Sequence, residues 1–365
     1  MSRRLAHGDA LGRRDVRFTI AALIARFKVT RAVKLASNET PFGASPRVIA
    51  ALTGMTAATA GCRDSHCVAL RSALGSFLDF PIDRIMVGNG SESLIELACF
   101  AFLNPGERVV TQAPCFGLQE SFAKAMAARV DKVPFNTQLR FDVPAWRRAL
   151  SKPVKIAVIA NPSNPVGCRL DTGQFREVVQ AAPEDTLLLI DETYSEFAQG
   201  TGFPNSLMVL AGQRRPWLVV RTFSKAYGLA GLRIGYGVAS SADVVKTLDR
   251  VRAPFNLNAI AQSAAIAALT DQDHVRRSVQ RIRFERQRLR QSLEKSGYAV
   301  AQSHANFLLF DCGEPASELA ERLLERGVIV RPCRDAGYER FIRVTVGSGC
   351  DNEQFLAALS EVARR

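Results

Sequence analysis

The middle of the 365-residue chain alternates between short apolar runs and longer stretches of helical period, and this alternation restricts the possible folds more than any other feature. From about residue 45 to residue 240, each apolar run ends in polar or glycine residues. That pattern is typical of a mostly parallel sheet covered by helices. We expect strands at Arg84–Val87, Arg108–Gln112, Ile156–Ala160, Leu187–Ile190 and Leu218–Arg221, and helices at Ser91–Phe102, Gly117–Ala128 and Thr172–Ala181.

The alternation of short apolar runs and helical stretches changes after Val251, which predicts a second, smaller α+β domain. Residues 1–44 are predicted to form an N-terminal arm that is part of the small domain, residues 45–250 the large domain, and residues 251–365 the small C-terminal domain. The expected elements of the last region are one long amphipathic helix, Asp271–Lys295, and strands at Asn306–Phe310, Val328–Val330 and Ile342–Val346.

The composition is that of a soluble globular protein, with 47% hydrophobic and 23% charged residues. A formal charge of +13 favours anionic ligands such as phosphates and carboxylates, and could also attract nucleic acid nonspecifically. The basic residues are dispersed, without zinc-finger spacing and without a basic region that runs into heptads. We therefore predict neither specific nucleic-acid binding nor a metal site.

The cysteine pattern predicts a reducing, cytoplasmic location. The chain has eight cysteines and no C-x-x-C pair, and several of the cysteines lie inside apolar runs. Near the N-terminus, the apolar stretch Phe18–Val29 is interrupted by Arg26 and Lys28 and is too short to cross a bilayer. No signal peptide or membrane association is predicted.

A glycine-punctuated segment, Ser224–Tyr236, follows the predicted strand Leu218–Arg221 and contains Lys225. An amine that forms a Schiff base must be held where its pKa can fall, and the nearby Arg233 can lower it while binding a phosphate dianion. The hydroxyl of Ser224 can add a donor to the same phosphate. Taken alone, such a lysine is more often a plain surface residue.

The apolar strand Leu187–Ile190 ends in Asp191, and a carboxylate there is costly to bury unless it meets a cation. A protonated pyridine nitrogen is such a cation, and protonation keeps the ring an electron sink. Tyr194 could reach the phenolic oxygen of the same ring. The alternative is a carboxylate that caps a loop or binds Mg²⁺.

Three further strand ends carry residues suited to a flat, phosphorylated cofactor. Asn161, in the Asn-Pro-Ser-Asn-Pro-Val-Gly turn, could donate a hydrogen bond to a phenolic oxygen, although the segment could also be a plain turn. The segment Val87–Ser93 passes from a strand end into a helix start, where free N–H groups favour phosphate. Phe116 could stack on a ring, although phenylalanine is more often simply part of the core.

Together these segments resemble the fold-type I aminotransferases, and most closely the histidinol-phosphate aminotransferase family. The resemblance runs from Lys34–Gly43 (KLASNETPFG) to Phe341–Gly347 (FIRVTVG), which is most of the chain. It implies the aspartate-aminotransferase-like α/β fold, the cofactor pyridoxal 5'-phosphate, a small-molecule amino donor, a 2-oxo acid acceptor such as 2-oxoglutarate, and a homodimer.

The resemblance also implies roles for individual residues. Lys225, Asp191 and Tyr194 would be catalytic, with Lys225 carrying the cofactor covalently and moving a proton, and Asp191 pairing with the pyridine nitrogen. Tyr194 and Asn161 would bind the phenolic oxygen, and Phe116 would stack on the ring. The cofactor phosphate would be bound by the backbone amides of Ser91 and Glu92, by Ser224 and by Arg233. The substrate would be bound by Asn38, by Arg343 at its α-carboxylate and by Arg331 at its distal phosphate.

Two departures weaken the substrate assignment. Family members carry Tyr-Pro-Asp where this chain has Cys62-Arg63-Asp64, so that a hydrogen bond to the neighbouring subunit's phosphate is lost or replaced by Arg63. The N-terminal arm also has no clear tyrosine to close over the substrate. An aromatic amino-acid aminotransferase and a threonine-phosphate decarboxylase stay open as alternatives. A regulator built on this fold needs a DNA-binding domain, for which the residues before Lys34 are too few.

Overall fold

The computed structural model describes residues 20, 24, 27–55, 64–198, 200 and 202–363. The strands are β1 (Val33–Lys34), β2 (Ile85–Asn89), β3 (Arg108–Ala113), β4 (Arg129–Pro134), β5 (Ile156–Ala160), β6 (Leu187–Asp191), β7 (Trp217–Thr222), β8 (Ile234–Ala239), β9 (Ala299–Val300), β10 (Phe307–Asp311), β11 (Val328–Ile329), β12 (Arg331–Pro332) and β13 (Phe341–Thr345). The α-helices are α1 (Pro46–Thr53), α2 (Val68–Leu78), α3 (Ser91–Phe102), α4 (Gly117–Ala125), α5 (Val143–Leu150), α6 (Thr172–Ala181), α7 (Ser195–Ala198), α8 (Ser206–Ala211), α9 (Ala242–Asp249), α10 (Ala259–Leu269), α11 (Gln272–Lys295), α12 (Ala316–Glu325) and α13 (Gly349–Val362).

A seven-stranded sheet with the order β2-β8-β7-β6-β5-β3-β4 forms the larger part of the fold. The pairings from β4 through β3, β5 and β6 to β7 are parallel, whereas β8 is antiparallel to both β7 and β2. Every residue of β5 and β6 is buried, because parallel central strands are covered on both faces. This arrangement confirms the predicted mostly parallel α/β sheet.

The smaller part of the fold contains a four-stranded sheet with the order β12-β13-β10-β9. Its strands are antiparallel, and the long helix α11 packs on β9, β10 and α13. In a separate two-stranded pairing, β1 runs parallel to β11 and so brings the start of the described chain to its C-terminal third. Helix α10, which follows residue 250, packs on α1 and α2. The domain boundaries at residues 45 and 250 stay a prediction.

The strand predictions missed two members of the large sheet. Strand β4 is an edge strand with only Val133 fully buried, so it lacks an apolar run. Strand β8 contains Gly235, and a Cβ there would overlap the backbone of Gly90 and Ser91. The chain therefore has a glycine at this position, whereas a β-branched residue is what would indicate a strand in the sequence. The predicted strand start at Arg84 lies instead in a 3₁₀ turn, Ile82–Arg84.

Within the part of the chain that the structure describes, no helix combines the length and the apolar character needed to cross a bilayer.

Candidate active site

The predicted site residues gather where β5, β6 and β7 end and α3 begins. Asp191 closes β6, opposite Ala160 of β5 and Val220 of β7. Because parallel strands end at the same sheet edge, the loops that follow them form one crevice. Residues 36–38 of the N-terminal segment complete that crevice, because they make three of the contacts described below.

Lys225 lies in the loop after β7, and its Nζ donates to the carbonyl oxygen of Ser37 over 2.9 Å. Burial, together with the positive charges of Arg343 and Arg233, lowers the pKa of Lys225 to about 8. An amine with this pKa is partly neutral at pH values near 8, and the neutral form can act as a nucleophile or a base.

Asp191 is buried, and its two carboxylate oxygens have different donors. Oδ1 accepts from the backbone N–H and the hydroxyl of Thr193 at 3.1 and 2.6 Å, and Oδ2 accepts from Gln119 Nε2 at 3.1 Å. Burial raises the pKa of Asp191, and these neutral donors only partly oppose the rise. A cation bound beside the carboxylate would return it to the ionised form, which fits a protonated pyridine nitrogen.

The predicted phosphate-binding residues lie together at the first turn of α3. Arg233 Nη2 donates to Glu92 Oε1 at 2.6 Å, and Arg233 Nη1 lies 3.5 Å from Ser224 Oγ. The guanidinium of Arg233 lies so close to the backbone of Gly90 that a Cβ on this glycine would be 2.6 Å from Arg233 Nη2. Ser91 Oγ is 3.4 Å from Thr193 Oγ1, which connects the helix start to the loop of Asp191. The guanidinium and the helix N-terminus both favour a dianion.

Tyr194 is 4% exposed and is held by two asparagines. Its hydroxyl accepts from Asn38 Nδ2 at 2.8 Å and from Asn164 Nδ2 at 3.4 Å. Asn38 is in the left-handed region, with φ +54°, and it also hydrogen-bonds Thr345. These hydrogen bonds connect the N-terminal segment to the loop after β6 and to β13.

Arg343 and Arg331 face each other across the β12–β13 pairing. Arg343 Nη1 donates to Asn164 Oδ1 at 2.7 Å and Nη2 to the carbonyl of Ala36 at 2.6 Å. Its Nε is buried without a hydrogen-bond partner among the described residues. Burial lowers the pKa of Arg343, and the charge of Arg331 adds to the effect. An anion bound beside Arg343 would give its Nε an acceptor and would favour its charged form.

Asn161 carries a second donor without a partner. Its Oδ1 accepts from Leu170 N at 2.9 Å, whereas its buried Nδ2 has no hydrogen-bond partner in the described part of the chain. A buried unsatisfied donor is costly, so an acceptor from a ligand fits this position. Phe116 is half-buried and precedes α4 directly. Its stacking role stays a prediction.

Several residues that hydrogen-bond the predicted site residues were not themselves predicted, among them Ala36, Ser37, Gln119, Asn164, Leu170, Thr193 and Thr345. Two of them had a local signal. Asn164 lies in the same Asn-Pro turn as Asn161, and Thr193 follows Asp191 at the spacing at which an aspartate accepts from the backbone two residues on. Gln119 and Ser37 had none, because folding alone brings them to the site.

Two remaining expectations concern residues outside this cluster. Residues 62 and 63 of Cys62-Arg63-Asp64 lie outside the described residues, so the departure at that motif has no structural account. Within residues 64–198 and 202–363, and in the shorter described ranges before them, no cluster of three or more His, Cys, Asp or Glu side chains could hold a metal ion.

Comparison with known proteins agrees with this geometry. The profile of the family described as aminotransferase class I and II matches residues 30–362. Histidinol-phosphate aminotransferase 1 of Mesorhizobium japonicum is 40% identical over 344 residues, which is 94% of each chain. Histidinol-phosphate aminotransferase 3 of Rhizobium meliloti is 40% identical over 94% of this chain and 93% of its own. The structure of the Sinorhizobium meliloti enzyme in complex with pyridoxal-5'-phosphate superposes with a TM-score of 0.88 at 31% identity, covering 95% of both chains.

The fold, the crevice and the sequence matches lead to one assignment. A lysine with a lowered pKa, a buried carboxylate that among the described residues has only neutral hydrogen-bond donors, and an arginine beside a helix start fit one phosphorylated pyridine cofactor. The chain belongs to the class I and II aminotransferases and is a pyridoxal-phosphate-dependent transaminase.

Proposed function

We propose that the enzyme transfers the amino group of histidinol phosphate to a 2-oxo acid, with 2-oxoglutarate as the acceptor. The observation that carries the proposal is the placement of Arg331 directly opposite Arg343 on neighbouring strands. Like charges directly opposite each other on paired strands repel, and anionic groups bound beside them reduce that repulsion. A donor that carries a phosphate, or an acceptor that carries a second carboxylate, supplies one anion for each arginine. The names of the relatives at about 40% identity support the same substrate.

Each group of the crevice has a part in that reaction. When bound, pyridoxal 5'-phosphate supplies the electron sink for the carbanion at the substrate α-carbon. Lys225 Nζ would take the proton from that carbon and deliver it to the cofactor carbon that accepts the amino group, which requires the neutral amine that burial favours. Asp191 holds the proton on the ring nitrogen, and Arg343 orients the substrate carboxylate. The cofactor would otherwise be held by Ser91, Glu92, Phe116, Asn161, Tyr194, Ser224 and Arg233.

The lowered pKa of Lys225 predicts how fast the apoenzyme captures its cofactor. Only the neutral amine attacks the aldehyde, so the rate constant should rise with pH and level off above about 8, not above the ordinary 10.5. Arg343→Met removes a neighbouring positive charge and should move the midpoint to higher pH. Stopped-flow absorbance at a series of pH values measures both. A midpoint near 10 in the wild type would contradict the buried position of the amine.

Arg331→Met tests the substrate proposal. We expect KM for histidinol phosphate to rise at least about tenfold, because a charge-assisted hydrogen bond to phosphate is lost, with kcat changed less. The half-reaction with phenylalanine, which has no distal anion, should change little and serves as the control. A wild type that favours phenylalanine over histidinol phosphate would support the aromatic aminotransferase. Release of carbon dioxide from threonine phosphate would support the decarboxylase.

We propose in addition that the enzyme is a cytoplasmic homodimer. Support for the dimer comes from exposed apolar residues: Ile49 on α1 is 58% exposed, Val68 at the start of α2 52%, and Phe255, between α9 and α10, 52%. Sedimentation should give about twice the chain mass of 39.9 kDa. Support for the cytoplasm comes from the described cysteines, which are free thiols and mostly buried.

A further inference from the structure

Gln119 has a buried side-chain amide that spans from the sheet to the carboxylate of Asp191. It lies in the first turn of α4 and is 1% exposed. Its Nε2 donates to Asp191 Oδ2 at 3.1 Å, and its Oε1 lies 3.4 Å from the hydroxyl of Thr111, which donates to it. Because the Thr111 hydroxyl occupies the oxygen end of the amide, the NH₂ end is directed at the carboxylate.

The two oxygens of Asp191 are held in different ways. Thr193, two residues along the chain, donates only to Oδ1 and does not hold the second oxygen. Gln119 donates to Oδ2 from a separate helix, so the carboxylate is held at both oxygens. Since each carboxylate oxygen has two lone-pair sites, Oδ2 can still accept from a ring N–H.

The amide of Gln119 also favours the ionised form of Asp191. Burial and the neighbouring Glu192 favour the protonated form of Asp191, and the hydrogen bonds from Thr193 and Gln119 oppose them. An amide does not titrate, so its support of the carboxylate is the same at every pH at which the enzyme is folded. We propose that Gln119 is a positioning residue, which orients Asp191 and keeps it ionised toward the cofactor's ring nitrogen. The inference rests on the cofactor role of Asp191.

Gln119→Leu in the full-length enzyme tests the proposal. Loss of one hydrogen bond to a charged group should raise the dissociation constant of pyridoxal 5'-phosphate about tenfold or more. We expect kcat to fall by a similar factor, with KM for both substrates changed less than about threefold, because the ring nitrogen acts in the chemical step and not in substrate binding. The pH titration of the bound cofactor's absorbance should shift as well, which a loss of stability alone would not cause.

Gln112→Leu is the matched control. Gln112 is also a fully buried glutamine, but its amide hydrogen-bonds the backbone of β5, donating to the carbonyl of Val158 and accepting from Ala160 N. This variant should cost at least as much stability as Gln119→Leu while leaving the absorbance titration and the cofactor dissociation constant unchanged.

Gln119→His gives a second test that does not depend on the leucine variant folding. An imidazole can still donate to Asp191, so cofactor affinity should recover, but the donor now titrates. Affinity should therefore acquire a pH dependence between about 6 and 7 that the wild type does not have. Wild-type cofactor binding and absorbance titration in Gln119→Leu, or no added pH dependence in Gln119→His, would overturn the positioning role.

Asp191→Asn separates this proposal from the one on which it rests. If Asp191→Asn impairs cofactor binding and Gln119→Leu does not, only the role of Gln119 fails. If neither variant changes binding, the role of Asp191 fails and that of Gln119 fails with it.

Discussion

Lys225→Ala should lose transaminase activity by a factor on the order of 10⁴, because one side chain is both the covalent anchor and the general base. The absorbance of covalently bound cofactor should disappear with it. The fold should survive, since burial already disfavours the charged form of this amine, and the hydrogen bond that its Nζ donates goes to the backbone carbonyl of Ser37. Single-turnover kinetics with histidinol phosphate measures the loss, and the melting temperature of the apoenzyme tests the fold.

Lys246→Ala is the matched control for that experiment. Lys246 lies on the surface of α9, where its side chain is 71% exposed and, among the described residues, forms an ion pair only with the neighbouring Asp243. Its removal should leave activity and absorbance at the wild-type level. Retained turnover in Lys225→Ala would refute the mechanism, whatever the control shows.

Arg221→Met should lower the free energy of unfolding by about 3 kcal/mol, because it leaves a buried carboxylate without its cation. Arg221 Nε donates to Glu192 Oε2 at 2.8 Å, and the Glu192 side chain is 1% exposed. The pair joins β7 to the residue that follows Asp191, so it braces the two strands that lead to Asp191 and Lys225. Chemical denaturation followed by the fluorescence of Trp217, which is buried in β7, measures the change.

Two further variants test whether loss of the arginine charge causes the expected loss of stability in Arg221→Met. Adding Glu192→Leu to Arg221→Met removes the unpaired carboxylate and should restore most of the lost stability. Arg147→Met breaks an ion pair with Glu177 whose side chains are 62% and 47% exposed, and it should change stability by less than about 0.5 kcal/mol. A double variant as unstable as Arg221→Met would point to lost packing in place of lost pairing.

Much of the fold could be predicted because its signals are local. Strand β5 and helices α3 and α6 have the predicted bounds, since an apolar run of strand length and a period of 3.6 residues are properties of neighbouring residues. Helix α4 ends at Ala125, earlier than predicted, because no local signal marks its end. The edge strand β4 and the glycine-containing β8 were missed for the same reason: their place in the sheet comes from distant partners.

The sequence by itself determined the chemistry of single positions: a lysine in a glycine-rich loop, an aspartate at the end of an apolar strand and an arginine able to bind phosphate. Only the tertiary structure decided their partners, because those contacts join residues far apart in the chain. Ala36, Ser37 and Asn38 hold Arg343, Lys225 and Tyr194 in turn, and Gln119 reaches Asp191 from a separate helix. Such pairings follow from how strands and helices pack, and packing depends on the whole chain, so no local pattern could have predicted them.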